Sequence, residues 1–305
     1  MGKGLRIIIN ILILFIVIGF VWYMISSLSN EESLYPETEQ QDKEVFVSPY
    51  TKETSFDVLD NICAFELADN KIYIATMNSV MIYDLSGRLL TSITVRSGVR
   101  DIAVNNNLIY ILFSTNIKVY STEGQEVNDW EACSDNSNYC SLTITSGFVF
   151  VTDADNKNIC KYTTDGNFVT FIHSPRDFII PNFSFDIDTW NDTIYCVNAG
   201  RQQIETYTLN GDFIASFGHP GGQPGAFAGC CNPAYISFTP EGDILTSEKG
   251  NPRICIFEKN GRFKSLLLNN KMLGGGSNAY DIKICNDKLY VAQNKTVSVF
   301  KKKLN

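Results

Sequence analysis

A chain of 305 residues, 44% of them hydrophobic, is long enough to bury a large core in one large domain or in two ordinary ones. Its formal net charge of −8 argues against nucleic acid as a partner, because proteins that bind nucleic acid need positive surface to displace counterions. We therefore expect an acidic folded body and no nucleic-acid partner.

The N-terminal segment is the most apolar part of the chain. The run Ile7–Ile25 carries no charge, and at 1.5 Å per residue it is long enough to cross a hydrocarbon core of about 30 Å. Lys3 and Arg6 precede the run and glutamates follow it, so the positive-inside rule predicts a cytoplasmic N-terminus and an extracytoplasmic remainder at the cell membrane. A cleaved signal peptide is the alternative, although its apolar region is usually shorter than this run.

A polar, acidic stretch follows the apolar run and offers almost nothing to bury. The sequence therefore divides into residues 1–27, a cytoplasmic tip and transmembrane signal-anchor; residues 28–43, a polar tether; and residues 44–305, a folded domain.

The folded domain repeats one pattern. Turn dipeptides ending in glycine occur 37 to 50 residues apart, each after two short β-rich runs: Ser86-Gly87, Glu123-Gly124, Asp165-Gly166, Asn210-Gly211 and Asn260-Gly261. Each unit opens with an alternating strand: Asn61–Leu67, Arg100–Val104, Cys140–Ile144, Asn182–Ile187, Ala234–Phe238 and Tyr280–Ile284. Four strands per unit at this period are typical of a propeller blade, so we predict an all-β, six-bladed β-propeller.

The sixth unit reaches Asn305 before its fourth strand. The β-rich run Glu44–Val47, just ahead of the first unit, is of the right size to supply that strand. We predict that Glu44–Val47 is the outer strand of the sixth blade and closes the ring.

Several motifs go beyond a generic propeller. Phe213–Gly218 leads into a Gly/Pro-rich crossover, and Pro252-Arg-Ile-Cys-Ile-Phe257 and Asn260-Gly-Arg-Phe263 follow in the next unit. This arrangement resembles the NHL repeat, and Gly229-Cys-Cys-Asn-Pro233 resembles a bacterial subgroup of NHL-type propellers. The resemblance spans roughly residues 175–268. It implies the propeller fold and an exported, often membrane-linked location, without an established reaction.

The chain has nine cysteines, so at least one thiol stays unpaired if every disulfide is intrachain. Cys133 and Cys140 flank the loop between the second and third blades, and we interpret them as a loop disulfide. For Cys230 and Cys231 three interpretations stay open: a vicinal disulfide, a pair of thiolates for a soft metal ion, or one structural and one free thiol. We predict no cofactor, with a metal ion at these cysteines as the alternative.

Polar residues on the loops and at the channel are the candidate ligand-binding set. They either make turns and pair with one another, as Glu248 and Arg253 would, or present side chains to a ligand on one face. The candidates are Arg100, Asp153, Asn198, Arg201, Cys230, Cys231, Asn232, Glu248, Lys249 and Arg253.

The sequence contains no recognisable catalytic set, which favours a non-enzymatic binding or scaffold module for an envelope protein, peptide or glycan. The first alternative is a redox-linked or metal-dependent function at Cys230 and Cys231. A weaker alternative is a metal-dependent hydrolase or lyase at the central channel, which would require Asp153, Asn198 and Glu248 to converge.

Overall fold

The computed structural model describes residue 4, residues 13–22 and residues 46–303. Residues 13–22 form a helix whose large apolar side chains are exposed. Among the residues described, no helix is both long enough and apolar enough to cross a membrane. The tether predicted for residues 28–43 and both ends of the predicted span Ile7–Ile25 lie outside the described residues.

Residues 46–303 contain 24 strands in six antiparallel four-stranded sheets, which confirms the six-bladed propeller. Blade 6 takes its outer strand from β1 (Tyr50–Asp57) and the rest from β22 (Asp281–Cys285), β23 (Lys288–Gln293) and β24 (Thr296–Lys302). Blade 1 is β2 (Ile62–Ala68), β3 (Lys71–Thr76), β4 (Ser79–Asp84) and β5 (Leu89–Thr94). Blade 2 is β6 (Asp101–Asn105), β7 (Leu108–Leu112), β8 (Asn116–Ser121) and β9 (Glu126–Glu131). Blade 3 is β10 (Tyr139–Thr145), β11 (Phe148–Asp153), β12 (Asn158–Thr163) and β13 (Phe168–Ile172). Blade 4 is β14 (Ile187–Trp190), β15 (Thr193–Asn198), β16 (Gln203–Thr208) and β17 (Phe213–Phe217). Blade 5 is β18 (Tyr235–Phe238), β19 (Ile244–Glu248), β20 (Arg253–Phe257) and β21 (Phe263–Leu268).

The hydrophobic core of the propeller lies between blades. The buried apolar side chains of the described residues form six clusters, and each cluster draws on two neighbouring blades. Between blades 2 and 3, for example, the rings of Trp130 and Tyr162 lie 5.9 Å apart, centroid to centroid. One blade alone could not bury these faces, so the ring stabilises each blade through its neighbours.

The ring closes through the N-terminal strand, but the predicted segment Glu44–Val47 is wrong. The outer strand of blade 6 is β1, which pairs with β24 from Tyr50 opposite Lys302 to Asp57 opposite Thr296. Outer strands face solvent, and most of the side chains in β1 are exposed. Such a strand has a weak hydrophobic signal, which is why the more apolar run before it was the better sequence candidate.

The predicted turn glycines are confirmed, and each has a packing role. All five have a positive φ between 85° and 93°. A Cβ on Gly166 of blade 3 would lie 2.5 Å from the Trp130 ring of blade 2, and a Cβ on Gly87 of blade 1 would lie 2.6 Å from Phe56 of β1. The turns therefore need glycine both for backbone conformation and for contact with the preceding blade.

The inner strand of blade 4 begins later in the chain than predicted. A 3₁₀ turn, Pro181–Phe183, occupies the start of the predicted strand Asn182–Ile187, and the strand itself is Ile187–Trp190. Asn182 and Phe183 have φ of 54° and 55°, a left-handed conformation that a strand cannot contain.

Candidate functional site

The innermost strands of the blades, β2, β6, β10, β14, β18 and β22, pack side by side around the propeller axis. They enclose a cavity of about 530 Å³. This volume is within the range of small-ligand sites. The central channel is therefore the candidate functional site.

A ring of six residues lines this channel, one from each blade. Blades 2, 4 and 6 contribute aspartates, and blades 1, 3 and 5 contribute other residues, so aspartates alternate around the ring. In order of blade, the six are Ala64, Asp101, Ser141, Asp186, Tyr235 and Asp281.

Each aspartate of this ring accepts a hydrogen bond from a backbone N–H of the next blade. Asp101 accepts from Leu142 at 2.9 Å and Asp186 accepts from Ile236 at 2.7 Å. Asp281 accepts from Phe65, in blade 1, at 3.2 Å. The aspartates thus join the inner strands of neighbouring blades in pairs.

Ser141 connects two of the aspartates. Its Oγ lies 2.8 Å from Asp101 Oδ2 and 2.8 Å from Asp186 Oδ1. One hydroxyl carries one proton and can donate to only one carboxylate. Ser141 therefore brings Asp101 and Asp186 together at one hydroxyl group, which can donate to only one of them at a time.

The environment of this pair favours the protonated form of each carboxyl group. Burial raises the pKa of Asp101 to about 6. Burial, together with the charge of Asp101, raises the pKa of Asp186 to about 7. Both values lie close to neutral pH, where a carboxyl group can either donate or accept a proton.

A second layer of charged residues lies two positions further along the inner strands. Lys283 Nζ is 3.1 Å from Glu66 Oε2 and 3.8 Å from Asp188 Oδ2. Burial lowers the pKa of Lys283, but the carboxylates of Glu66, Asp188 and Asp281 outweigh burial and raise it well above its usual value. Lys283 is therefore held as a cation.

Taken together, five carboxyl groups line the cavity alongside three cationic side chains, Arg100, Lys249 and Lys283. Lys283 is already paired with Glu66 and Asp188. Carboxyl groups therefore outnumber cationic side chains by two at this cavity, which favours a positively charged guest.

Two predicted site residues lie at this channel, Arg100 and Lys249. Arg100 donates to Asn138 Oδ1 at 2.5 Å and also to the carbonyl of Tyr139. Lys249 Nζ donates to Ser184 Oγ at 3.0 Å. Asn232, also predicted, holds the Lys249 backbone: its Oδ1 accepts from the Lys249 N–H at 2.9 Å.

Three other predicted residues are buried and do not line the cavity. Each is the last residue of the second strand of its blade: Asp153, Asn198 and Glu248. Each side chain holds the crossover, which is the segment that leads into that blade from the preceding one. Asp153 Oδ1 accepts from Asn138 N at 3.0 Å, and Asn198 Oδ1 accepts from Ile179 N at 3.0 Å. Their side chains are engaged separately, so they do not supply the convergent ligand set that the hydrolase alternative requires.

Glu248 and Arg253 form the ion pair that the sequence suggested. Arg253 Nε is 2.6 Å from Glu248 Oε1, and the two side chains are 6% and 1% exposed as residues. Arg253 also donates to the carbonyls of Gly222 and Ala226, each at 2.7 Å. Arg201 behaves similarly and donates to the carbonyl of Asp177 at 3.1 Å. Both arginines anchor crossovers.

The predicted pairing of Cys133 with Cys140 is not found. Cys133 Sγ lies 2.6 Å from Cys160 Sγ instead. Cys140 lines the channel, its Sγ is 3.7 Å from the carbonyl oxygen of Asn138, and burial raises the pKa of its thiol to about 12. Cys140 lies in the innermost strand of blade 3, whereas Cys160 lies in its third strand. Distance along the chain alone cannot show which of the two is the neighbour of Cys133.

Cys230 is exposed and Cys231 half-buried, and their Sγ atoms are 3.0 Å apart. Neither lines the channel cavity. Burial raises the pKa of the Cys231 thiol, and a hydrogen bond with Cys230 adds to this effect.

The sequence interpretation missed the channel carboxylates, although a signal for them exists. Each aspartate of the ring directly precedes a buried isoleucine at the start of an inner strand: Asp101-Ile102, Asp186-Ile187 and Asp281-Ile282. At this position of the inner strand the dipeptide occurs in alternate blades only, so a search for a motif common to all six units does not find it.

No family profile and no curated protein matches the sequence. The fold does match solved structures. Virginiamycin B lyase from Staphylococcus aureus aligns with a TM-score of 0.58 and 13% identity, over 83% of this chain and 99% of that one. A protein of unknown function from Bacteroides thetaiotaomicron aligns with a TM-score of 0.60 and 11% identity, over 83% of this chain and 74% of that one.

The chain shares the propeller arrangement of these proteins. At such low identity the likeness shows the fold alone, and function has to be argued from the residues of the site.

Proposed function

We propose that this chain is a membrane-anchored, extracytoplasmic binding module that takes a basic side chain of a protein or peptide into its central channel. The observation that carries the proposal is the set of carboxyl groups lining the cavity, which exceeds the cations beside them.

The nature of the ligand follows from that charge. Asp281 and Asp188 are held in an environment of other carboxylates, and burial raises the pKa of both. A lysine or arginine side chain of the ligand relieves this repulsion, whereas a neutral glycan brings no charge to do so. Among the partner classes that the sequence favours, a basic protein segment or peptide fits best.

The location rests on the sequence. The uncharged run Ile7–Ile25, with Lys3 and Arg6 before it, supports an anchor with a cytoplasmic N-terminus. The motif Gly229-Cys-Cys-Asn-Pro233 supports membership of the bacterial NHL-type subgroup, which agrees with an exported propeller.

The test is direct binding to the full-length protein in detergent micelles. A fluorescent peptide rich in lysine and arginine should bind, more weakly as salt rises, while a glutamate-rich peptide of equal length and a neutral oligosaccharide should not. Asp188→Asn should weaken binding of the basic peptide about tenfold, which corresponds to about 1.4 kcal/mol.

Asp243→Asn is the matched control, because Asp243 does not line the cavity and pairs with Lys264 at 2.5 Å. Equal affinity of Asp188→Asn and wild type, or no preference for the basic peptide, would refute the proposed site. Capture from an envelope extract then identifies the partner, which free basic peptide should displace.

A second function, acid–base catalysis, is favoured by the meeting of Asp101 and Asp186 at the Ser141 hydroxyl. Groups with pKa values of about 6 and about 7 at one cavity are suited to proton transfer at neutral pH. Turnover at this site should depend on pH over that range and be lost in Asp186→Asn. Turnover that survives this substitution would contradict it. Two matched structures are named as lyases, but the proposal of acid–base catalysis rests on the carboxyl groups of Asp101 and Asp186.

The redox alternative at Cys230 and Cys231 is supported by their 3.0 Å sulfur separation at an exposed position. Thiol titration and metal analysis of the purified protein test it. Reduced, metal-free thiols whose replacement by serine leaves every measured property unchanged would dismiss it.

A further inference from the structure

Two thiols meet at the junction of blades 2 and 3, outside the channel. Cys133 lies in the crossover after β9, and Cys160 lies in β12. Their Sγ atoms are 2.6 Å apart. Two hydroxyl oxygens sharing a hydrogen bond already need roughly 2.5–3.0 Å, and sulfur is larger than oxygen. The two thiols are therefore placed within bonding reach of each other.

The two cysteines differ in their surroundings. Cys160 is fully buried, whereas Cys133 is half-buried and is therefore the more accessible of the two. Tyr139 Oη donates to Cys133 Sγ at 3.3 Å. A hydrogen bond from this hydroxyl favours the thiolate form of Cys133. Cys133 is thus the reactive member in the reduced protein.

We propose that Cys133 and Cys160 form a disulfide that ties the crossover from blade 2 to the third strand of blade 3. The oxidant is a small-molecule or protein disulfide. The Cys133 thiolate attacks one of its sulfurs, giving a mixed disulfide and releasing one thiolate. The Cys160 thiol then loses its proton and attacks the Cys133 sulfur, which forms the internal disulfide and releases the second thiolate. The oxidant is reduced to two thiols.

A metal ion is the competing use of these residues, because ligand atoms of Cys133, Cys160 and Asp153 lie within 4.8 Å of one another. Two thiolates at about 2.3 Å from a tetrahedral zinc ion lie well over 3 Å apart, farther than these sulfurs. The Asp153 oxygens already accept from Asn138 N at 3.0 Å and from Asn156 Nδ2 at 2.9 Å. The geometry therefore favours the covalent bond.

Peptide mapping of the full-length protein tests the proposal. The protein is oxidised with oxidised glutathione, free thiols are alkylated, and trypsin digestion is done without reductant. Trypsin leaves Cys133 and Cys140 together in residues 119–157 and Cys160 in residues 158–161. The expected product is a linked pair of these two peptides, which disappears in Cys133→Ser and persists in the matched control Cys140→Ser.

Thermal melting supplies a second readout. Reductant should lower the melting temperature of wild type and of Cys140→Ser by roughly 5–10 °C and leave Cys133→Ser unchanged. Alkylated Cys160 in the oxidised wild type would overturn the proposal even if Cys133→Ser fails to fold. A linked peptide that persists in Cys133→Ser, or stoichiometric zinc bound by wild type and lost in that variant, would also overturn it.

Discussion

The buried ion pair of blade 5 makes the sharpest prediction about stability. Arg253→Met keeps most of the side-chain volume but removes the guanidinium from Glu248, which is 1% exposed. Glu248 would be left as an uncompensated buried charge, and the carbonyls of Gly222 and Ala226 would each lose a donor. Loss of one partner of a buried pair costs about 3–5 kcal/mol.

Blade 5 also contains an exposed ion pair that serves as the control for this substitution. Arg262 pairs with Glu258 in an i,i+4 arrangement at the surface, where the Arg262 side chain is 74% exposed. Such exposed pairs contribute about 0–1 kcal/mol. Arg262→Met should therefore change stability little, although it removes the same chemical group from the same kind of partner.

Urea denaturation separates the two outcomes. With an m-value of roughly 3 kcal/mol per molar, Arg253→Met should lower the midpoint by about 1 M or more. The double substitution Glu248→Leu with Arg253→Met should recover most of that loss, because no charge is left buried. If Arg253→Met and Arg262→Met shift the midpoint equally, the burial argument fails.

The pH dependence of the defect gives a further check. Burial raises the pKa of Glu248 even beside Arg253, and removal of Arg253 should raise it more. A carboxyl group whose native pKa is raised favours the native state at low pH, and that stability is lost as the pH rises through the native pKa. The deficit of Arg253→Met should therefore shrink toward pH 5, and a deficit that grows would contradict the reasoning.

Three further predictions concern the channel, the closure and the turns. Burial raises the pKa of Asp186 to about 7 from 3.8, so the melting temperature should fall as pH rises from about 4 to about 7, and Asp186→Asn should flatten that fall. Deleting residues 50–57 should lower the melting temperature sharply, because blade 6 then lacks its outer strand; an unchanged melt would disprove the closure. Gly166→Ala, whose Cβ would lie 2.5 Å from Trp130, should destabilise more than Gly98→Ala, which has positive φ but open space; equal melting temperatures would show that backbone strain alone matters.

The blades could be predicted because their signals are local. Turn glycines such as Gly124 and Gly211 need a positive φ that few other residues adopt, and paired β-rich runs precede each of them. The outer strand β1 has no comparable signal, since its register depends on β24, about 240 residues away in the chain. Local pattern therefore gives the number of blades but not the segment that completes the ring.

The channel and the cysteine pair depend on contacts through space. Asp101 and Asp186 meet at Ser141 only because three inner strands converge on the axis. Cys133 is nearer to Cys140 in the chain, but the fold brings it to Cys160. The sequence pattern indicates Glu248 and Asn198 as candidate ligand-binding residues, but their spacing does not show that they face crossovers rather than a ligand.

The pairing of β1 with β24 also sets an order of events during synthesis. β1 leaves the ribosome first among the strands, and its partner, which ends at Lys302, leaves last. Until then β1 has no sheet to join, and the Phe56 ring that meets Gly87 is not held in place. Five blades can assemble before β24 has been made, but the ring stays open, with an unpaired edge, until β24 is available to pair with β1.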